Sequence, residues 1–408
     1  MNDPLCAAVK AAYINTGLEE GIGLVHKFLT SAYLYEGVSV RKMATRLLLP
    51  VPVTAALKNE LKKYGLVKVK NGICLSDKGE RFVREYLGYQ TIDREALLGI
   101  DQSPWDDLSM FTCEIGALKG IYENRPEADV TLDQALCTAE TGMRRALLML
   151  RSGGLIGKKV LFVGDDDLTS IALSFVLKRI SNPCPQAGQT GYRASSPEAA
   201  GAADITVFDI DERVLRYIAD ISEKLDIRVH CLMHDLRVGL PAVHQGCYDS
   251  VFTDPPYTLE GLKLFISRGA SALKNESDLF LYLAFGHKSP LVQLAVQKQL
   301  LESGFIISQI YQQFNRYCGA QILGGVSDTM VLNTTARTKE SIRGDYGGLL
   351  YTNELNRSIR MYECKNCRSR YRVGHGERFV TIERLKEKGC PNCGQFSFRL
   401  IEKKGADV

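Results

Sequence analysis

Between residues 160 and 333 the chain alternates short apolar runs with stretches of helical spacing, and this alternation constrains its fold more than any other feature. The expected strands are 160–163, 205–208, 228–231, 250–253, 279–285, 305–312 and 329–333, and the expected helices are 168–180, 212–225, 259–273 and 291–302. Strands joined through helices of this length need crossover connections, so they build a mostly parallel, doubly wound α/β sheet. The last two strands follow one another directly, which predicts the methyltransferase-like Rossmann variant with an antiparallel final strand. Residues 182–203, rich in Gly, Pro, Ala and Ser, read as a mobile surface loop inserted in the second unit.

Ligands of such sheets lie beyond the carboxyl ends of the strands, so the residues at those ends carry the chemistry. The first strand runs into Gly164-Asp165-Asp166-Asp167-Leu168. A nucleotide-binding turn at this place is glycine-rich, because backbone N–H groups and a helix N-terminus must approach an anion. Three aspartates there repel a phosphate and welcome a neutral or cationic ligand. One or two would pass as ordinary first-turn acids; three in a row point to a site.

Acids recur at the next three strand ends. Asp209 and Asp211 follow the second strand, where a carboxylate accepts both hydroxyls of a ribose, and Asp235 follows the third, where it would bind the amino group of adenine. With Gly164 these are the cofactor-binding candidates. Asp254-Pro255-Pro256-Tyr257 follows the fourth strand. In enzymes that alkylate nitrogen from a sulfonium donor, this arrangement aims the nitrogen lone pair at the electrophilic carbon. The Asp and a proline carbonyl accept from the N–H groups, and the Tyr ring packs on the acceptor. Orientation supplies most of the gain, with local negative charge stabilising the cation formed at nitrogen.

The flanks have their own patterns. Residues 1–90 show three helical stretches, a short alternating run, Asn71-Gly72, a second run and a helix capped from Ser76. This order resembles the winged-helix domains of transcription regulators. Lys58, Asn59, Lys62 and Lys63 on the third helix are polar enough to read DNA, and the same module elsewhere makes dimer contacts or closes a site. Residues 91–155 read as a helical linker with two stretches meeting near Gly142; Trp105, beside Asp106 and Asp107, would hold an ammonium group or anchor its loop. Residues 356–408 carry Cys364-x2-Cys367, a spacer of 22 residues and Cys390-Pro391-Asn392-Cys393, the spacing of a zinc ribbon with four thiolates around a structural zinc. His375 in the spacer is not needed as a ligand.

The other eight of the 12 cysteines are scattered singly, which argues against a disulfide scaffold. No apolar run suits a membrane span and Met1-Asn2-Asp3-Pro4 does not open a signal peptide, so a cytoplasmic protein without membrane contact is expected. The net charge of +4 hides a division: residues 1–90 carry 13 Lys/Arg against 8 Asp/Glu and residues 356–408 carry 13 against 6, which leaves −8 for the centre. Basic ends allow nucleic-acid contact, and an acidic centre favours a cationic ligand.

A nitrogen alkylator whose glycine-rich turn has become Gly-Asp-Asp-Asp implies a donor without a carboxylate, a polycationic acceptor, or both. Decarboxylated S-adenosylmethionine, with its ammonium-bearing aminopropyl arm, meets the first condition and a polyamine the second. Gly164-Asp165-Asp166-Asp167, Asp254-Pro255-Pro256-Tyr257-Thr258 and the preceding winged helix together resemble the branched-chain polyamine synthases, aminopropyltransferases related to spermidine synthase. The resemblance covers roughly residues 15–355 and implies transfer of aminopropyl groups from decarboxylated S-adenosylmethionine to N4 of spermidine or a related polyamine. The products would be N4-bis(aminopropyl)spermidine and methylthioadenosine. It implies catalytic roles for Asp165, Asp166, Asp167 and Asp254, with Asp167 the most direct participant. Asp254, Pro255, Tyr257 and Glu260 would bind substrate, 156–355 would be the catalytic domain, and a homodimer is expected. The tail with its four clustered cysteines departs from the family pattern. The rival reading is an S-adenosylmethionine-dependent N-methyltransferase acting on DNA or RNA, which would explain the basic flanks but not the acidic turn. A non-enzymatic regulator that senses a polyamine would have no use for Asp-Pro-Pro-Tyr.

Overall fold

The structure, a computed structural model, describes residues 3–104, 106–181, 203–286, 289–318, 325–355, 359–374, 377–379 and 382–404. Trp105, His375 and the expected loop at 182–202 lie outside the described residues.

The first unit contains α1 (Pro4–Thr16), α2 (Ile22–Leu34), α3 (Val40–Leu47), α4 (Val51–Lys63), β1 (Val67–Val69), β2 (Ile73–Leu75) and α5 (Asp77–Tyr86). Its boundaries have local causes. Ser39 Oγ accepts from the Lys42 N–H at 3.2 Å to cap α3, Pro52 sits in the first turn of α4, and Ser76 Oγ accepts from the Gly79 N–H at 3.1 Å to cap α5. Asn71 and Gly72 both take positive φ to close the β1–β2 hairpin, and Val38 bridges Ile73 antiparallel beside it. Phe28, Leu29, Leu57, Leu61 and Leu66 centre a separate core.

The second unit runs α6 (Arg94–Gln102), α7 (Thr112–Glu123), α8 (Ala139–Ser152), β3 (Lys158–Val163), α9 (Thr169–Ser181), β4 (Ala203–Asp209), α10 (Glu212–Lys224), β5 (Val229–Met233), β6 (Ser250–Thr253), α11 (Leu259–Ala272), β7 (Phe280–Gly286), α12 (Pro290–Glu302), β8 (Ile306–Arg316), β9 (Val326–Asn333) and α13 (Thr352–Leu355). The sheet has the order β5-β4-β3-β6-β7-β9-β8. Its first five strands are parallel, and β9 is antiparallel to both β7 and β8. This is the expected topology. β6 and β7 are buried along their whole length, as central parallel strands must be when helices cover both faces. α8, α9 and α10 pack on one face and α11 and α12 on the other. Lys27 of α2 reaches Asp278, just before β7, at 2.7 Å and ties the first unit to the sheet.

Residues 91–155 are more than a linker. Ile100, Phe111, Leu118, Met143 and Leu147 belong to the same buried cluster as Val160 and Phe162 of β3. Two helical stretches were expected to meet near Gly142, whereas α8 runs through it unbroken. A Cβ at Gly142 would lie 2.2 Å from the Tyr122 hydroxyl, so the glycine admits α7 against α8 and is not a break.

The last unit is a small antiparallel sheet of order β11-β10-β12, from β10 (Ile359–Cys364), β11 (Arg370–Val373), α14 (Ile382–Lys388) and β12 (Phe398–Lys404). Val373, Phe379, Leu385 and Phe398 form its core with Cys364 and Cys390. No helix among the described residues is long and apolar enough to cross a membrane.

Candidate active site

The strand order reverses between β3 and β6, and an open cleft enclosing about 680 Å3 lies at that switch point. Gly164, Asp166, Asp209, Asp235, Asp254, Pro255 and Tyr257 line it, as the sequence led one to expect. Asp165, Asp167, Asp211 and Glu260 do not. Asp133, Tyr317 and Tyr351 also line it and were not foreseen. Five carboxylates therefore face one cleft, and no lysine or arginine is among its described lining residues.

The three aspartates after β3 have three different surroundings. Gly164 leaves the strand with φ 79°, a left-handed conformation that glycine takes without strain, and its N–H donates to Phe208 O at 2.8 Å. Asp165 turns inward and caps α9, accepting from the Thr169 N–H at 2.7 Å and the Ser170 N–H at 3.1 Å. Burial pushes its carboxyl up to about 8 against the pull of those donors. Asp167, 2% exposed, accepts from the Cys137 N–H and from Arg145 Nη1, both at 2.5 Å. Asp166 points into the cleft with no hydrogen-bond or ion-pair partner among the described residues. Burial first, then the charges of Asp167, Asp209, Asp254 and Asp165, hold its carboxyl well above the usual range.

This division alters the ranking of the run. Asp167 was expected to be the most direct participant, yet both its oxygens are taken by the protein and it stands behind the cleft. Asp166 is the member a ligand can reach.

Asp254 follows β6 and has one oxygen occupied: Oδ2 accepts from Arg145 Nη2 at 2.7 Å and from the Tyr317 hydroxyl at 2.6 Å, while Oδ1 has no partner among the described residues. Burial raises its carboxyl to about 7, opposed by the Arg145 charge. The Tyr257 hydroxyl donates to Tyr317 at 2.9 Å, and its ring packs against Phe285, with centroids 5.3 Å apart. A Cβ at Gly286 would come within 2.6 Å of that ring. Glu260 lies exposed in the first turn of α11, a helix capped by Thr258, and is not among the cleft-lining residues.

On the other side of the switch point, Asp209 accepts from the backbone N–H groups of Asp165 at 3.0 Å and Asp211 at 2.8 Å. Burial raises its carboxyl above the ordinary range. Asp211 is instead the N-cap of α10, held by Arg213 at 2.6 Å and Gln134 at 3.1 Å; burial is outweighed and its carboxyl is lowered. Asp235 lines the cleft after β5 and accepts from the Arg237 N–H at 2.9 Å. Tyr351 closes this end, its ring under the Arg237 guanidinium at 5.1 Å, and Arg237 pairs with Glu354 at 2.6 Å.

Arg145 is the functional residue that sequence reasoning passed over. In the sequence it directly precedes the apolar run 146–150. The available signal was its register: it sits on α8 among Met143, Ala146, Leu147 and Met149, all buried, so its side chain had to enter the core. A buried arginine requires anionic partners.

In the last unit the sulfurs of Cys364, Cys367, Cys390 and Cys393 all lie within 4.8 Å of one another. Two of the pairs are 3.6 and 3.5 Å apart. Four thiolates around zinc at Zn–S of about 2.3 Å stand about 3.8 Å from one another, so the cluster is compatible with that metal.

Fold and cleft together define a methyltransferase-type α/β transferase whose ligand site is acidic where its nucleotide-binding relatives accept an anion. The family model for the C-terminal domain of branched-chain polyamine synthase A matches residues 115–181 and 198–363, more than half of the chain. An uncharacterized protein of Methanocaldococcus jannaschii is 30% identical over 396 residues, covering 95% of this chain and 90% of its own. The N(4)-bis(aminopropyl)spermidine synthase of the same organism is 32% identical over 276 residues, covering 66% and 70%. The crystal structure of the Thermus thermophilus branched-chain polyamine synthase with N4-aminopropylspermidine and 5'-methylthioadenosine aligns over 86% of this chain and 98% of its own, at 22% identity and a TM-score of 0.48. The chain belongs to the branched-chain polyamine synthase family.

Proposed function

We propose that the protein transfers aminopropyl groups from decarboxylated S-adenosylmethionine to the N4 secondary amine of spermidine, releasing methylthioadenosine and building N4-bis(aminopropyl)spermidine. The observation that carries this reading is the cleft itself: five carboxylates, one of them without a hydrogen-bond or ion-pair partner among the described residues, at the switch point of a family member's sheet. Such a cleft attracts a polycation and disfavours the methionine carboxylate of an ordinary methyl donor.

In this reading Asp235 and Asp209 hold the adenosine half of the donor, with Gly164 beside it. Asp209 already accepts two backbone N–H groups, so it would share its oxygens with the ribose hydroxyls. The polyamine lies along Asp166, Asp254, Pro255 and Tyr257. Its N4 arrives protonated and passes that proton to Asp166, whose raised carboxyl is a better proton acceptor than an ordinary aspartate. The freed lone pair attacks the aminopropyl carbon bound to sulfur. A C–N bond forms, the C–S bond breaks, and its electrons neutralise the sulfonium as methylthioadenosine leaves. Asp254 Oδ1 accepts from the amine, and the surrounding negative charge stabilises the tertiary ammonium formed.

The flanking units fit supporting roles. Helices α2 to α4, the hairpin and α5 fit a winged helix over residues 1–90, and the four-cysteine sheet fits a zinc ribbon over 356–408. Zinc there would cross-link two knuckles and stabilise a unit with few buried apolar residues. The winged helix is the surface proposed for a homodimer.

Incubation with spermidine and decarboxylated S-adenosylmethionine, followed by mass spectrometry, should show methylthioadenosine and spermidine heavier by one and two aminopropyl groups. Absence of both products, with methyl transfer from S-adenosylmethionine to DNA or RNA instead, would overturn the proposal.

A further inference from the structure

Arg145 has every donor in use. Nε donates to Asn315 Oδ1 at 2.7 Å, Nη1 to Asp167 at 2.5 Å and Thr169 at 3.3 Å, and Nη2 to Asp254 at 2.7 Å and the Tyr317 hydroxyl at 3.0 Å. These five bonds match the five N–H groups of a guanidinium. The side chain is fully buried, and its charge lies 5.0 Å from the centre of the Phe252 ring. Its partners come from the turn after β3, the end of β6 and β8 with the residue beyond it. One side chain from α8 thus joins three strand ends under the cleft.

Burying an ion pair rarely stabilises a fold more than apolar packing of the same volume would, because the cost of desolvating the charges offsets their attraction. Stability alone therefore does not account for Arg145. Its geometry does something packing cannot. Asp254 is held by Oδ2, Asp167 is withdrawn from the cleft, and among the described residues Asp254 Oδ1 and the Asp166 carboxyl have no hydrogen-bond or ion-pair partner. We propose that Arg145 is the positioning residue of the reaction: its fork fixes Asp254 for the acceptor amine and sorts the aspartates, so that Asp166 alone receives the proton. This rests on the reading of the cleft as a polyamine site.

The titratable groups around the fork are Cys137 before α8, Asp165 to Asp167 after β3, Asp209 after β4, Asp254 and Tyr257 after β6, and Tyr317 after β8. Arg125 adds its charge beside Cys137, whose carbonyl accepts from it at 2.6 Å, but the cation that holds the Asp254 carboxyl down is Arg145, so weakening the fork should raise the pH at which Asp254 ionises. Arg145→Lys keeps a charge and loses the fork. Its kcat is expected to fall about 100-fold, the loss that follows from misplacing a reacting group by about 1 Å. The KM for spermidine should stay level or drop, because the cleft has lost no acid. The acid limb of kcat/KM should move up by about one pH unit.

Asn315→Ala, which removes the neutral anchor of Nε together with the Nδ2 bonds to Ser327 and Thr329 at 2.9 Å, leaves both carboxylate arms of the fork in place, is the milder variant and should lower kcat about tenfold at unchanged KM. A residue that only holds the fold together would lower kcat in proportion to the folded fraction and leave the acid limb in place; that result in both variants overturns the inference. Calorimetric titration with spermidine from pH 6 to 9 separates the two proposals. Wild-type enzyme that binds spermidine but forms no methylthioadenosine overturns the proposed reaction. The Arg145 inference then stands or falls on whether Arg145→Lys moves the pH at which spermidine binding weakens.

Discussion

Substituting the three aspartates of the turn one at a time should give three effects of different sign. Asp166 is partly buried and lacks a partner among the described residues, and burial with four neighbouring carboxyls raises its pKa above the unfolded value. A carboxyl raised in this way binds its proton more tightly in the folded state, so ionising it costs stability from about pH 4 upward. The cleft is open to solvent, which screens the repulsion and limits the cost to about 1 kcal/mol. Asp166→Asn removes that cost and should raise Tm at pH 7.5 by roughly 2–4 °C for a domain of this size. The gain should shrink as the pH falls toward 4 and vanish below it, where the wild-type carboxyl is protonated in both states. The same variant should lose at least about 100-fold in kcat, within the range for a positioned acid–base group. Asp167→Asn leaves Arg145 with one anionic partner and should cost about 3–5 kcal/mol. Asp165→Asn gives up one of two N–H acceptors in α9's cap, about 1 kcal/mol, but also relieves a carboxyl raised to about 8, so its Tm should change little. Scanning calorimetry at pH 4.5 and 7.5, with turnover read as methylthioadenosine, tests the set. A stabilised Asp167→Asn, or an Asp166→Asn with near-normal turnover, would refute the division of the run.

Tyr317→Phe removes a hydroxyl that holds Asp254 at 2.6 Å and meets Ser327 at 2.8 Å. Loss of a bond to a charged group costs about 1.5–3 kcal/mol. That bond lowers the Asp254 pKa, so the acid limb of kcat/KM should move upward in the variant. Gly142→Ala places a methyl 2.2 Å from the Tyr122 hydroxyl, which itself donates to Leu168 O at 3.1 Å beside the aspartate turn. Overpacking should lower stability by about 1–3 kcal/mol, read as a shift in the denaturant midpoint. Elemental analysis should find about one zinc per chain. Cys390→Ser should lose it and raise hydrogen exchange in 359–404 while the sheet domain keeps its melting temperature, because that domain has its own buried clusters.

The sheet was legible because of where it sits. Strands buried on both faces read as unbroken apolar runs, and 250–253 falls where β6 (Ser250–Thr253) is found. Legibility declined at the edge of the sheet. β8 extends to Arg316, four residues past the expected end, and most of it is exposed, so polar residues there carry no burial pattern. The misread stretch was 91–155, where Gly142 was treated as punctuation. Its purpose, room for Tyr122, depends on a partner 20 residues away, and no local propensity encodes that.

The site was legible as a collection of acids and not as a division of labour. Asp165, Asp166 and Asp167 are the same residue in three consecutive positions, and what separates them is a hydrogen bond from Cys137, a fork from Arg145 and a helix end at Thr169. Those partners come from different elements. The same limit explains Asp209 and Asp211, of which one faces the cleft and the other is drawn off by Arg213. It explains Glu260 as well, which follows the Asp-Pro-Pro-Tyr motif closely but lies exposed on α11. The central −8 of the sequence thus resolves into two parts. Some acids are paired with arginines, Asp254 of the cleft among them, while Asp166 faces the cleft with no ion-pair partner among the described residues and Asp209 and Asp235 accept there from backbone N–H groups. Only that second group creates a demand for a cationic ligand, so the choice of polyamine follows from where the arginines are placed as much as from the number of aspartates.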